Sequence, residues 1–204
     1  MKEILKIVVT GGPCAGKTSA LRRIKERYSK MGFEVIHIPE TATELISGGI
    51  SPMSVGSWAF QNHLLRLQLY KEEMFESAAK CLKNDKILMI LDRAVIDNKG
   101  YMTHSDFYKM IKEASLDEKD LLARYDGVLH LETIAKTSPA LYQTKNNEAR
   151  FETVEGAIKT DHDLHLAWKQ HPAFFYIRSD ISFENKANAI FKAIDKIIEN
   201  KKDA

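Results

Sequence analysis

Eight consecutive residues, Gly11-Gly12-Pro13-Cys14-Ala15-Gly16-Lys17-Thr18, constrain this chain more than any others. They carry the spacing G-x-x-x-x-G-K-[ST]. Before them lies a β-branched apolar run, Ile4 to Val9, interrupted only by Lys6; after them Leu21, Ile24 and Tyr28 recur at helical spacing through Met31. A strand, a glycine turn and a helix in that order build a cradle for an anion. Glycines permit the tight path, main-chain N–H groups curl around a β-phosphate, and the helix adds its unpaired N–H groups and its dipole. In such a loop Lys17 reaches the β- and γ-phosphates, Thr18 offers its hydroxyl to Mg²⁺, and Ser19 extends the binding segment. The expected ligand is ATP (or GTP) with Mg²⁺. The bland alternative is a structural glycine turn, which the flanking strand and helix disfavour.

The pattern of strand followed by helix continues along the chain. Strands are expected at Phe33 to Ile38, Lys86 to Leu91, Gly127 to Leu131 and Ala173 to Ile177. Helices are expected at Ser54 to Lys83, Glu148 to His171 and Ile181 to Ile198, with two short ones between Gly100 and Ala123. Residues 40–53 read as irregular, Thr133 to Asn147 as a polar mobile loop, and Glu199 to Ala204 as a frayed charged tail. Gly32 marks the end of the first helix. The strands are apolar throughout rather than alternating, so both sheet faces need cover. That argues a parallel sheet in a three-layer α/β fold with right-handed crossovers.

A chain of 204 residues fits one domain, with room for a small lid. Thirty basic against 28 acidic residues leave a net charge of +2, which predicts no nucleic acid partner and no membrane surface. Two cysteines, Cys14 and Cys81, make neither a disulfide framework nor a structural zinc site. No apolar run approaches the ~18 residues of a membrane span, and the N-terminal run leads into a glycine turn rather than a cleavage site. A cytoplasmic location is expected.

Parallel sheets bind ligands beyond the carboxyl ends of their strands. Glu40 follows the second strand, and Asp92 and Arg93 follow the third. Asp92 is placed to hold a Mg²⁺ water beside Thr18. Arg93 can neutralise charge on a transferring phosphoryl group or clamp an acceptor. Glu40 is the candidate general base; its alternative is a first-turn acid before Thr41 to Ile46. Arg150, at the start of the next helix, could close over the phosphates as part of a lid at about 133–150. Ser179 and Asp180 follow the fifth strand and fit either a loop touching the nucleotide base or an N-cap. Trp58 and Trp168 read as core. His162 and His165 share a helix face, but without a third anchored ligand they make a weak metal pair.

These segments together resemble a known family. Thr10 to Thr18, Pro39-Glu40-Thr41-Ala42-Thr43-Glu44-Leu45-Ile46 and Leu91-Asp92-Arg93 resemble the AAA-type, NadR-like P-loop family. The likeness continues through Tyr125-Asp126-Gly127-Val128, Asn147-Glu148-Ala149-Arg150 and Ser182-Phe183-Glu184-Asn185-Lys186, almost the whole chain. That family includes a ribosylnicotinamide kinase domain and a eukaryotic GTP-binding trafficking protein. The resemblance implies a nucleoside- or nucleotide-kinase-like core with five parallel strands in order 2-3-1-4-5 and a helical lid. It implies triphosphate binding by Gly11 to Thr18. It also matches Glu40, Asp92–Arg93 and Arg150 to an acid, an Asp–Arg pair and a lid arginine of such enzymes. Three readings share the phosphate loop: a small-molecule phosphotransferase, a nucleotide-gated switch or weak NTPase with a protein or lipid partner, and a fold that binds nucleotide without turnover. No Asn-Lys-x-Asp guanine-reading motif follows a strand, which disfavours a Ras-like GTPase.

Overall fold

The computed structural model describes residues 2–142 and 153–202. Strands β1 (Glu3–Thr10), β2 (Glu34–Ile38), β3 (Lys86–Asp92), β4 (Gly127–Leu131) and β5 (Phe174–Ile177) form one sheet in the order β2-β3-β1-β4-β5. Every pairing is parallel. This is the three-layer α/β fold and the strand order expected. The register pairs Val9 with Asp92, Thr10 with His130 and Leu131 with Ile177, so the carboxyl ends finish nearly level.

Strand side chains alternate between two cores. Leu5, Ile7, Val9, Leu88 and Ile90 face α1 (Lys17–Lys30) and α9 (Phe183–Lys202), meeting Ile24, Tyr28, Ile190 and Ile194. Val8, Ile87, Met89 and Leu91 face the other side, which holds α4 (Ser57–Lys80), a 3-10 stretch (Val95–Tyr101), α5 (His104–Glu113), α6 (Glu118–Leu122) and α8 (Val154–Trp168). Both faces are covered, which is why the strands carry apolar residues at successive positions. Among the described residues no helix is long and apolar enough to cross a membrane.

Several local expectations need correction. Residues 40–53 are not irregular: α2 (Thr41–Ser47) and α3 (Pro52–Val55) occupy most of the segment. Polar capping builds α3, with Ser51 and Ser54 in a reciprocal box and Pro52 in the first turn. Gly56, at φ 81°, then separates α3 from α4, so the helix expected from Ser54 is interrupted. At the end of α1, Gly32 stands one residue beyond the C-cap Met31, at φ 84°. Phe33 N donates to Tyr28 O at 3.0 Å, and the two rings meet edge-on at 6.0 Å. The C-terminal tail does not fray at Glu199. Helix α9 runs to Lys202, with Ile197 and Ile198 buried and Lys201 bonded to Asp126 at 2.7 Å. Residues 134–137 of the expected loop form α7 (Ile134–Thr137). Helix α8 begins at Val154, where Thr153 caps Gly156 N, and ends at Trp168 rather than His171.

Candidate active site

The phosphate loop is wedged between β4 and α8. Gly11 has φ 131°, and a Cβ there would lie 2.0 Å from the Leu131 carbonyl oxygen, so only glycine fits. Gly12 N donates to Asp161 Oδ1 of α8 at 2.8 Å, and Thr133 Oγ1 donates to Pro13 O at 2.5 Å. Cys14 (φ 55°) and Gly16 (φ 82°) adopt left-handed backbone, the alternation that turns successive amides toward one point. Gly16 is the N-cap of α1 and supplies no side-chain cap, and the first turn holds no acidic residue. The helix therefore presents its opening N–H groups and positive end to an anion.

Lys17 folds back over this loop, its Nζ donating to Gly11 O at 3.3 Å and Gly12 O at 3.4 Å. Burial and the neighbouring Arg93 lower its pKa to about 8, against the opposing pull of Asp92, Glu40 and Asp97. An ammonium so destabilised gains most from an arriving polyphosphate.

Charged residues gather at the ends of β2 and β3. Arg93 Nε donates to Glu40 Oε1 at 2.6 Å, and Arg93 Nη1 to Asp97 Oδ1 at 3.3 Å. Arg93 adopts left-handed backbone (φ 65°), and its N–H bonds Val9 O at 3.1 Å, directing the side chain across the strand ends. Burial opposes its charge, but Tyr101, Glu40, Asp97 and Asp92 offset this and push its pKa upward. Burial also opposes ionisation of Glu40, yet Arg93, Lys17 and the Thr43 hydroxyl hold its carboxyl at about 2. Glu40 stands at the N-cap position of α2 but makes no capping bond, so its carboxylate serves Arg93 and Thr43. Asp92 is different: its Oδ1 is buried and no described group donates to it, and burial raises its pKa. An orphaned carboxylate oxygen beside the loop suits a hydrated Mg²⁺. Asp92 and Thr18 are the residues that would hold such an ion.

On the far side of the loop lies a cavity of about 210 Å³, lined by Cys14, Ala15, Gly16, Ser179, Ile181 and Lys186 among others, and mostly apolar. Glu132, just after β4, fixes the loop at its rim. It accepts from Tyr176 OH at 2.5 Å, Ser179 N at 2.8 Å and Ser179 Oγ at 3.1 Å, and pairs with Lys136 at 2.8 Å. Burial works against its charge, but Lys136, Tyr176 and Ser179 bring its pKa down to about 2. Lys186 donates to Glu132 O at 3.2 Å, and Arg23 lies 4.3 Å over the Phe183 ring at the cavity mouth.

The structure thus brings Lys17, Glu40, Asp92 and Arg93 into one electrostatic cluster. Ser179 lines the cavity on the other side of the loop, whereas Asp180 is engaged by Arg178 and is not among the lining residues. Arg150 lies outside the described residues. His165 packs among His130, Phe174 and Tyr176. Among the described residues no cluster of three metal-binding side chains forms. Trp168 is fully buried, but Trp58 lies at the surface under the Lys109 ammonium, against expectation. Sequence reasoning passed over Asp97 and Glu132, and gave Asp161 no role at the phosphate loop. Glu132 carried the signal that exposed Asp92, an acid directly after an apolar strand. Asp97 and Asp161 carried none, because the contacts that place them in the site, Thr10 and Trp168 for Asp97 and Gly12 for Asp161, lie 71 to 149 residues away.

The sequence model described as "AAA domain" matches residues 6–186. Among solved structures, deoxyadenosine kinase from M. mycoides, determined with bound dATP, superposes with a TM-score of 0.62 at 16% identity, covering 94% of this chain and 99% of that one. The likeness to that structure is one of fold. No curated protein matches the sequence.

Proposed function

The chain belongs to the AAA domain family, and from that premise we propose that it is an ATP-dependent phosphotransferase acting on a small nucleoside-like or nucleotide acceptor. The observation that carries this reading is the Glu40–Arg93 pair, set at the strand ends beside Lys17 and the orphaned Asp92 oxygen. A protein that only holds nucleotide needs the loop and the lysine. An acid and an arginine beyond the γ-phosphate position supply what transfer to a second molecule needs in addition.

In this reading the loop amides, Lys17 and the N-terminus of α1 hold the triphosphate, and the cavity beside Ser179 takes the base. Thr18, and Asp92 through water, would hold Mg²⁺, which when bound would supply charge neutralisation at the phosphate oxygens. Glu40 is ionised at neutral pH and accepts the proton of an acceptor hydroxyl. A carboxylate held near pKa 2 is a poor base, so Arg93 must turn from Glu40 toward the phosphoryl group for Glu40 to gain basicity. Exchange of that one ion pair both frees the base and delivers a cation to the developing charge. Arg150 is proposed to add a second cation. The fold of the M. mycoides kinase and its dATP support a nucleoside-like acceptor and an adenine nucleotide.

The test is acceptor-dependent turnover. Mg-ATP or Mg-GTP is incubated with the protein and a panel of nucleosides and nucleotides, and phosphorylated acceptor and free phosphate are both followed. Transfer to at least one acceptor is expected. Protein-stimulated phosphate release with no transfer to any acceptor would replace this reading with a nucleotide-gated switch or weak NTPase.

A further inference from the structure

We propose that Asp97 is the positioning residue of this site: a single buried carboxylate that sets Arg93 relative to the root of the phosphate loop and to α8. The inference rests on the reading of Arg93 as a group that acts on the transferring phosphoryl, and is independent of which acceptor is used.

Asp97 is 1% exposed and both its oxygens are shared. Oδ1 accepts from Thr10 Oγ1 in a short bond and from Arg93 Nη1 at 3.3 Å. Oδ2 accepts from Ala94 N at 2.9 Å and from Trp168 Nε1 at 3.1 Å. Four donors thus come from three places: the last residue of β1, the segment just after β3, and the last turn of α8. Thr10 immediately precedes Gly11, so Asp97 measures the position of Arg93 from the point where the loop begins.

Glu40 contrasts with it. The Arg93–Glu40 contact is the shorter of the two, but among the described residues Glu40 has only Arg93 and Thr43 as donors and its side chain is 27% exposed, against 2% for Asp97. One carboxylate is anchored by main chain and by two other elements; the other is free to exchange. Arg93 therefore has a fixed pivot on Asp97 and a releasable partner in Glu40. Helix α8 also holds the loop itself through Asp161 and Gly12, so the same helix braces the loop and the pivot.

The test uses the full chain with Trp58→Phe, which leaves Trp168 as the one tryptophan of the two present. In that background the emission of Trp168 reports the hydrogen bond to Asp97. Thr10→Val and Arg93→Met are each expected to shift it, because both remove a donor from the carboxylate that the indole shares. In parallel, Asp97→Asn and Thr10→Val are expected to hold triphosphate Kd within about 3-fold. Both should lower kcat by about 10²-fold with little change in acceptor KM, the scale of a misplaced transition-state group. Thr10→Val retains every charge, so it decides the matter if Asp97→Asn does not fold. Trp168 emission unmoved by either substitution, or wild-type kcat in folded Thr10→Val and Asp97→Asn proteins, would overturn the assignment. A wild-type protein that binds triphosphate but transfers nothing removes the phosphotransfer reading instead, and the emission shifts then decide Asp97 alone.

Discussion

Arg93 and Glu40, 53 residues apart in sequence, meet at 2.6 Å at the ends of adjacent strands. The pair is possible because β2 and β3 run side by side with Ile38 opposite Leu91. Glu40 and Arg93, each two residues beyond that pair, are thereby delivered to one spot. The guanidinium is almost wholly enclosed and the carboxylate only half so. Removing Glu40 leaves Arg93 on Asp97, so the cost should fall below the roughly 3–5 kcal/mol of a buried charge left with no partner.

Replacing Glu40 by Gln removes the proton acceptor while keeping the size of the side chain and a hydrogen-bonding oxygen for Arg93. Nucleotide affinity is expected to stay within a few-fold, and acceptor-dependent turnover to fall by ~10²-fold or more, the usual scale for an acid–base group. Steady-state kinetics beside a nucleotide titration check this. Unchanged turnover would remove Glu40 as the base. In the free protein Glu40 is ionised down to pH about 2, so its contribution to stability is complete above its ordinary value of 4.5 and is lost as pH falls through about 2. Glu40→Gln should flatten the acid limb of a stability–pH curve in that window.

Much of this arrangement was legible in the residues. The loop spacing located the anion site, and the apolar strands required a two-faced parallel sheet. The positions of Glu40, Asp92 and Arg93 after strands put them at its active edge. What was not legible depends on packing between distant segments. Asp97 reads in sequence as one more polar residue in a loop; only the fold sets it under Thr10 and Trp168. Gly56 carried a helix-breaking signal that the long apolar pattern around it masked. Lys201 holds the last turn of α9 through Asp126, a contact no local pattern encodes.

Lys17 makes triphosphate binding a proton-linked event. Its pKa of about 8 means that part of the free protein is uncharged there above pH 8, whereas a polyphosphate alongside restores the ammonium. Calorimetry at pH 8.5 in buffers of unlike ionisation enthalpy should show uptake of roughly half a proton to one proton per triphosphate bound. Lys17→Met should abolish the uptake and weaken binding. The same depressed pKa makes the unliganded protein gain stability as pH rises from about 8 toward the ordinary lysine value of 10.5, since the unfolded chain keeps more protons in that interval. Absence of proton uptake in the wild-type protein would remove Lys17 from contact with the phosphates.

Asp92 should behave as a residue that costs stability when no metal is bound. Its raised pKa means that the folded state disfavours the ionised carboxylate, so its contribution declines as pH rises through that value. Asp92→Asn is therefore expected to melt at the same temperature as the wild type or higher without nucleotide. It should lose most of the extra stabilisation that Mg²⁺ adds to bound triphosphate. Thermal melts with nucleotide alone, with Mg²⁺ alone and with both separate these effects. A variant that retains the full Mg²⁺ increment would show that the ion is held elsewhere.

The cavity behind Cys14 and Gly16 offers a way to separate base binding from phosphate binding. Ala187 is buried and lines the cavity from α9, and Ala187→Leu would fill part of its roughly 210 Å³ with apolar carbon. In the unliganded protein, filling this void raises stability or leaves it unchanged, so the melting temperature should not fall. If the base occupies this space, ATP affinity drops by tenfold or more, equivalent to ~1.4 kcal/mol or above. Inorganic tripolyphosphate needs only the loop amides, Lys17 and the N-terminus of α1, so it should bind both proteins equally well. Loss of tripolyphosphate binding as well would mean that the substitution had disturbed the loop. Undiminished ATP affinity with a normal melt would move the base out of this cavity, leaving the Glu132-anchored loop at Ser179 as a brace for α9 alone.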